Sequence, residues 1–125
     1  MFKHSKAFAS FSVNDLQATR QFYGKTLGLD VSERPEGLDL HLGVGSHAFV
    51  YPKPDHVPAT FTILNFPVKD VDRAVDDLTK AGVRFEIYRS GPLETDSRGV
   101  ARCEGKKIAW FKDPSGNYLS VLEEK

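Results

Sequence analysis

With a single cysteine, Cys103, among 125 residues, the chain can form no intrachain disulfide and no thiolate-rich zinc cluster. A reducing, cytoplasmic setting is the corresponding expectation. Neither sign of charge is in surplus, since seventeen Lys and Arg balance seventeen Asp and Glu. That balance, and the lack of any basic run interleaved with aromatics, excludes the electrostatic footprint of a nucleic-acid binder. No apolar run approaches the roughly 20 residues of a membrane span. The opening "MFKHSKAFAS" lacks an apolar core followed by a small-residue cleavage site, so the chain reads as cytosolic and complete, with no membrane partner.

The composition, 40% hydrophobic and 27% charged, is that of a globular domain able to build a core. Its organisation is repetitive. "FSVNDL" at residues 11–16 returns as "FPVKDV" at 66–71, and the match continues with Thr19 on Ala74, Tyr23 on Leu78 and, after a one-residue slip, Gly28 on Gly82. Each copy opens on an alternating strand, with Ala9, Phe11 and Val13 on one face in the first and Leu64, Phe66 and Val68 in the second. Asp15 and Asp70 stand where a helix N-cap belongs. Two apolar stripes at helical spacing follow, Leu16, Thr19, Phe22, Tyr23 and Leu27, then Val71, Ala74, Val75, Leu78 and Ala81. Gly28 and Gly82 end the helices.

Short strands come after each helix, expected near 29–34, 37–42 and 47–52 in the first half and near 83–89, 106–112 and 117–123 in the second. "GVGS" and "DPSGN" supply turns, and the three prolines of "PKPDHVP" predict a stiff, extended connector. The expectation is one α+β domain over 1–125, with module one at about 6–52, a linker at about 52–58 and module two at about 59–123. Two tandem βαβββ modules would form a curved half-barrel sheet around a central cleft. The polar stretch from Ser90 to Gly105 is long for a strand connection, as lids and mobile loops are.

"FSVNDLQATRQFYGKTLGLDV", "FTILNFPVKDVDRAVDDLTKAGVRFE" and "IAWFKDPSGNYLSVLEE" together resemble the vicinal oxygen chelate superfamily, which includes glyoxalase I, the bleomycin and fosfomycin resistance proteins and the extradiol dioxygenases. The resemblance implies paired βαβββ modules, and a homodimer, as in many relatives. In metal-using relatives a His, Glu or Gln stands five residues before the Val of "V-x-D", which maps to Phe8 and Ile63. The remaining ligands map to Ser120 and, to within a residue, to Phe49. Phe and Ile have no lone pair to offer, and a neutral hydroxyl is a poor ligand for a divalent ion. The resemblance therefore implies the fold without the metal, and no cofactor is expected.

The remaining candidates are sparse. His4, His41, His47 and His56 show no helical pairing with a glutamate, and His41, between Leu40 and Leu42 on a strand, is the one that could join an alternative metal set. Cys103, among Arg98, Arg102, Lys106 and Lys107, reads as a loop thiol before it reads as a nucleophile. Trp110, Tyr51 and Tyr118 lie on cleft-bordering strands, where an aromatic serves either as core or as a stacking platform. The leading expectation is a cleft lined by Phe8, Ser10, Phe49, Ile63, Asn65, Trp110 and Ser120 that takes a small organic, aromatic molecule. Arg98 or Arg102 would close over an anionic group. The alternative is a lyase, isomerase or dioxygenase, metal-dependent or not, working through non-standard residues.

Overall fold

The computed structural model describes residues 1–124, which form two compact units, Met1–Val57 and the chain from Pro58 onward. Each unit is a βαβββ module with one four-stranded mixed sheet, and together they place the chain in the α+β class. Among the described residues no helix is long and apolar enough to cross a membrane.

The first unit runs β1 (Ala9–Val13), α1 (Leu16–Gln21), a π-helical turn (Phe22–Thr26), β2 (Asp30–Arg34), β3 (Gly37–Leu42) and β4 (Ser46–Pro52). Its strand order is β1-β4-β3-β2, with β1 parallel to β4 and the other pairs antiparallel. Asp15 caps α1, its Oδ1 accepting from the Ala18 amide at 3.0 Å. The stripe read from the sequence packs Thr19 and Tyr23, both fully buried, against a core of Val13, Leu40, Ala48 and Val50. Gly37 meets a close-approach requirement: a Cβ there would lie 2.0 Å from the Val50 carbonyl oxygen.

The second unit repeats that order as β5 (Thr62–Val68), α2 (Val71–Lys80), β6 (Val100–Cys103), β7 (Lys106–Lys112) and β8 (Tyr118–Glu123). Its sheet, β5-β8-β7-β6, has the same pattern of parallel and antiparallel pairs. Asp70 caps α2 through the Arg73 amide at 3.1 Å. The "DPSGN" turn is built on Asp113, whose Oδ1 accepts from the Ser115 and Asn117 amides, each at 2.9 Å.

Three local readings differ from the sequence expectation. The strand expected at 83–89 reduces to an isolated bridge from Phe85 to Phe111 and a Glu86 amide donating to the Trp110 carbonyl at 2.8 Å. The reason is competition for one edge: Val100–Cys103 pairs with Lys106–Ala109, so only the far end of β7 is left for the earlier segment. The Ser90–Gly105 stretch therefore contains a strand, and its polar, half-exposed edge pattern hid it. The proline connector turns instead of extending. His56 donates its amide to the Lys53 carbonyl at 3.0 Å, with Pro54 at the second turn position that its fixed φ favours.

Candidate functional site

Alternation along β7 divides its side chains between two surfaces. Lys107, Ala109 and Phe111 face α2, as the Lys107 ion pair to Asp72 on that helix requires. Trp110 faces the other way, opposite Ser120 on β8, which itself lies opposite Asn65 on β5. On this open face of the second unit lies a cavity of about 620 Å³. Phe61, Thr62, Trp110 and Tyr118 form its sheet side, and Tyr88, Ser90, Pro92 and Leu93 reach it from the long loop. Thr60 completes a wall with no charged residue.

The Tyr88 ring meets Trp110 edge to face at 5.7 Å between centroids. Burial, followed by the neighbouring Tyr118 and Glu86, pushes the Tyr88 phenol above its usual range, so it stays neutral at physiological pH. Lys112 sits 5.0 Å above the Tyr118 ring centroid. Aromatic faces beside a few hydroxyls suit a flat, mostly apolar guest.

The nine residues named from the sequence are distributed as follows. Trp110 lines the cavity. Ser120 is fully buried on the same face and donates from Oγ to Asn65 Oδ1 at 2.6 Å, while Ile63 stands at the bulge between Thr62 and Leu64. On the open face of the first unit, Ser10 lies opposite Phe49, the same pairing that Asn65 and Ser120 make in the second. Phe49 stacks on Tyr51 at 6.3 Å, and Phe8, 58% exposed, stacks on His47 at 4.7 Å. Arg98 is engaged on the helix side instead, donating to Asp72 at 3.0 Å and Asp76 at 2.9 Å. Arg102, opposite Lys107, borders a separate polar cleft with Asp72, Glu94 and Asp96. Phe61, Tyr88 and Leu93 are absent from the set named from the sequence, and the exposure of Phe61 and Leu93 is a property that only the structure shows.

The positions that the family pattern would give to a metal do not fit one. Two are phenyl rings occupied in stacking, one is an isoleucine, and the Ser120 hydroxyl is committed to an amide oxygen. Three of the four histidines are engaged elsewhere, His41 with Ser32 at 2.7 Å, His56 with Ser12 at 2.7 Å and His47 stacked on Phe8. Among the described residues, no three of His, Cys, Asp and Glu gather as a metal-binding group.

On the helix side, the ion pairs of Asp72 with Lys107 and Arg98 hold its carboxyl below the usual range. A lowered native pKa contributes stability that is complete above the unfolded value and is lost as pH falls through the native one. Asp72→Asn should therefore lower stability at neutral pH, with the gap to wild type closing below about pH 4. Urea unfolding at neutral and acid pH checks this; a gap that persists in acid would mean that the pairs are screened out and packing accounts for it.

The family model described as Glyoxalase/Bleomycin resistance protein/Dioxygenase superfamily matches residues 7–121. Among solved structures, a glyoxalase family protein from Enterococcus faecalis is 26% identical with a TM-score of 0.70, covering 98% of this chain and 100% of its own. A glyoxalase/dioxygenase from Nostoc punctiforme is 19% identical with a TM-score of 0.69, covering 98% and 92%. TnmS3, an antibiotic binding protein from a Streptomyces species, is 22% identical with a TM-score of 0.63, covering 95% and 96%. Comparison with curated proteins finds no match.

Proposed function

The chain belongs to the glyoxalase/bleomycin resistance protein/dioxygenase superfamily, and on that premise we propose that it binds a small, flat, largely uncharged aromatic molecule without the family's metal. The observation that carries this reading is the aromatic-walled, charge-free cavity around Trp110. Its volume suits a drug-sized guest. Ser120 and Asn65 lie on the same face, their mutual hydrogen bond fixing the sheet behind the cavity, and the hydroxyls of Thr60, Thr62, Ser90 and Tyr118 are polar groups on its wall. Ile63, at the adjoining bulge of the same unit, is proposed as a further apolar neighbour of this cavity, while Phe8, Ser10 and Phe49 are proposed as ligand-facing residues on the first unit's own sheet and Arg102 as the cation at the separate polar cleft. A cytoplasmic homodimer is part of the proposal, supported by the lone cysteine and by exposed Phe2, Phe8, Val57 and Phe61.

Trp110 is the only tryptophan, so its emission reports on the cavity directly. Titration with N-phenylnaphthylamine, a neutral aromatic dye that brightens in apolar surroundings, should quench Trp110 and raise dye emission saturably. Aromatic antibiotics belong in the same panel, because an antibiotic binding protein shares the fold. Unsaturable, nonspecific quenching across all compounds would defeat the reading.

The metal-free half of the proposal has its own test. A site filled at about a hundred times its dissociation constant stabilises the native state by roughly 2.7 kcal/mol, several degrees in melting temperature. EDTA-treated protein in excess Zn²⁺, Mn²⁺, Ni²⁺ or Fe²⁺ should show no such rise. A clear shift for one metal would bring the enzyme reading forward.

A further inference from the structure

The cavity wall has two origins, and the part carried by the long loop is held from a single residue. Between Tyr88 and Thr95 the chain makes an exposed excursion that brings Ser90, Pro92 and Leu93 to the cavity. Inside it, the Glu94 amide donates to the Gly91 carbonyl at 3.3 Å, at the weak end of hydrogen-bond lengths. The neck is tighter. The Thr95 amide donates to the Tyr88 carbonyl at 2.8 Å, and the Tyr88 amide donates to Thr95 Oγ1 at 2.9 Å. The Thr95 hydroxyl in turn reaches the Tyr88 carbonyl at 3.4 Å.

Thr95 is also fastened on its other side. It bridges to Ala101, which pairs with Ile108 in the sheet. Beyond it, Asp96 Oδ1 accepts from the Arg98 and Val100 amides at 2.9 and 3.0 Å, and Arg98 is tied to α2. The anchored part of the loop thus begins at Thr95, and the excursion before it is closed onto Tyr88 by the Thr95 backbone amide and, on the Tyr88 amide, by the Thr95 hydroxyl. Tyr88 then contacts Trp110 edge to face.

We propose that Thr95 is a positioning residue, whose hydroxyl clasps Tyr88 and thereby holds the 89–94 loop as the movable wall of the aromatic cavity. The proposal rests on the cavity being the ligand site. A hydroxyl does this because it accepts from one backbone group and donates to another across the neck, which an isosteric methyl cannot do. Opening the clasp frees Leu93 and Pro92 to swing from the cavity while the Thr95 and Ala101 backbones keep the sheet edge in place.

The test compares wild type, Thr95→Val and Thr95→Ser with N-phenylnaphthylamine as the probe. Thr95→Val should weaken dye binding about five- to tenfold, on the order of one lost hydrogen bond, mainly by faster dissociation. Thr95→Ser, which keeps the hydroxyl, should remain within about twofold of wild type on the same scale. Hydrogen exchange of the Tyr88 amide should accelerate in Thr95→Val alone, with the amides of β7 and β8 unchanged. Wild-type dye affinity in Thr95→Val, or equal weakening in Thr95→Ser, overturns the clasp. If wild type binds no dye, the cavity reading fails by itself, and unchanged Tyr88 exchange in Thr95→Val then overturns the clasp as well.

Discussion

Replacing Phe111 with alanine is expected to cost about 3–5 kcal/mol of stability, the range for emptying a fully buried phenyl site. Phe111 has no exposed surface, lies opposite Leu119 on β8 and meets the Phe85 ring at 5.4 Å, tilted by 61°. The loss combines the transfer of the ring to water with a cavity that the surrounding sheet and helix cannot close. It also removes the ring against which Phe85 packs, so the 83–89 segment should loosen along with the core although the backbone bridge at residue 111 can still form. Urea midpoints give the energy, and exchange of the Glu86 amide, bonded to the neighbouring Trp110 carbonyl, gives the local effect. A cost below about 1 kcal/mol would contradict the burial, because so small a value belongs to surface substitutions.

The neighbouring change, Trp110→Ala, should strike binding in addition to stability. Alternation turns Trp110 toward the cavity, where its ring meets Tyr88 and borders Phe61 and Tyr118. Central aromatic anchors of this kind carry about 2 kcal/mol or more of binding energy when truncated, roughly a thirtyfold loss of affinity. Dye emission reads the loss after the tryptophan is gone, and circular dichroism checks that the variant remains folded. Unchanged dye affinity would place the binding surface elsewhere. Trp110→Phe should recover part of the affinity, since a smaller ring keeps some of the apolar contact. Residues 110 and 111 thus report on opposite surfaces, because a strand presents successive side chains to opposite sides, and truncating Trp110, only 9% exposed, is expected to cost stability as well.

Much of the architecture was legible in local pattern. Alternation at residues 9–13 and 62–68, the Asp15 and Asp70 caps, and the buried helix stripes all arise from contacts within a few residues of one another. The "DPSGN" turn is equally local, since Asp113 bonds to amides two and four residues ahead. The connector was misread because prolines suggest stiffness, whereas Pro54 also suits the second place of a tight turn.

The candidate site was less legible. Trp110 could be named because a strand period places it on a definite face, but Tyr88, Pro92 and Leu93 reach the cavity only through loop closure. Arg98 shows the limit most clearly. As a letter in a polar stretch it looked available for an anion, yet α2 presents Asp72 and Asp76 to it and consumes its charge locally.

The sequence by itself determined the duplicated βαβββ plan and the family, and it placed no carboxylate or imidazole at Phe8, Phe49, Ile63 and Ser120, the positions that the family resemblance would assign to a metal. Only the tertiary structure decided which segment wins the edge of β7, where the long loop is anchored and which side chains enclose the space beside Trp110. The physical reason is range. Periodicity and capping act between residues a few positions apart, whereas edge competition and loop closure are settled by partners that only folding brings together.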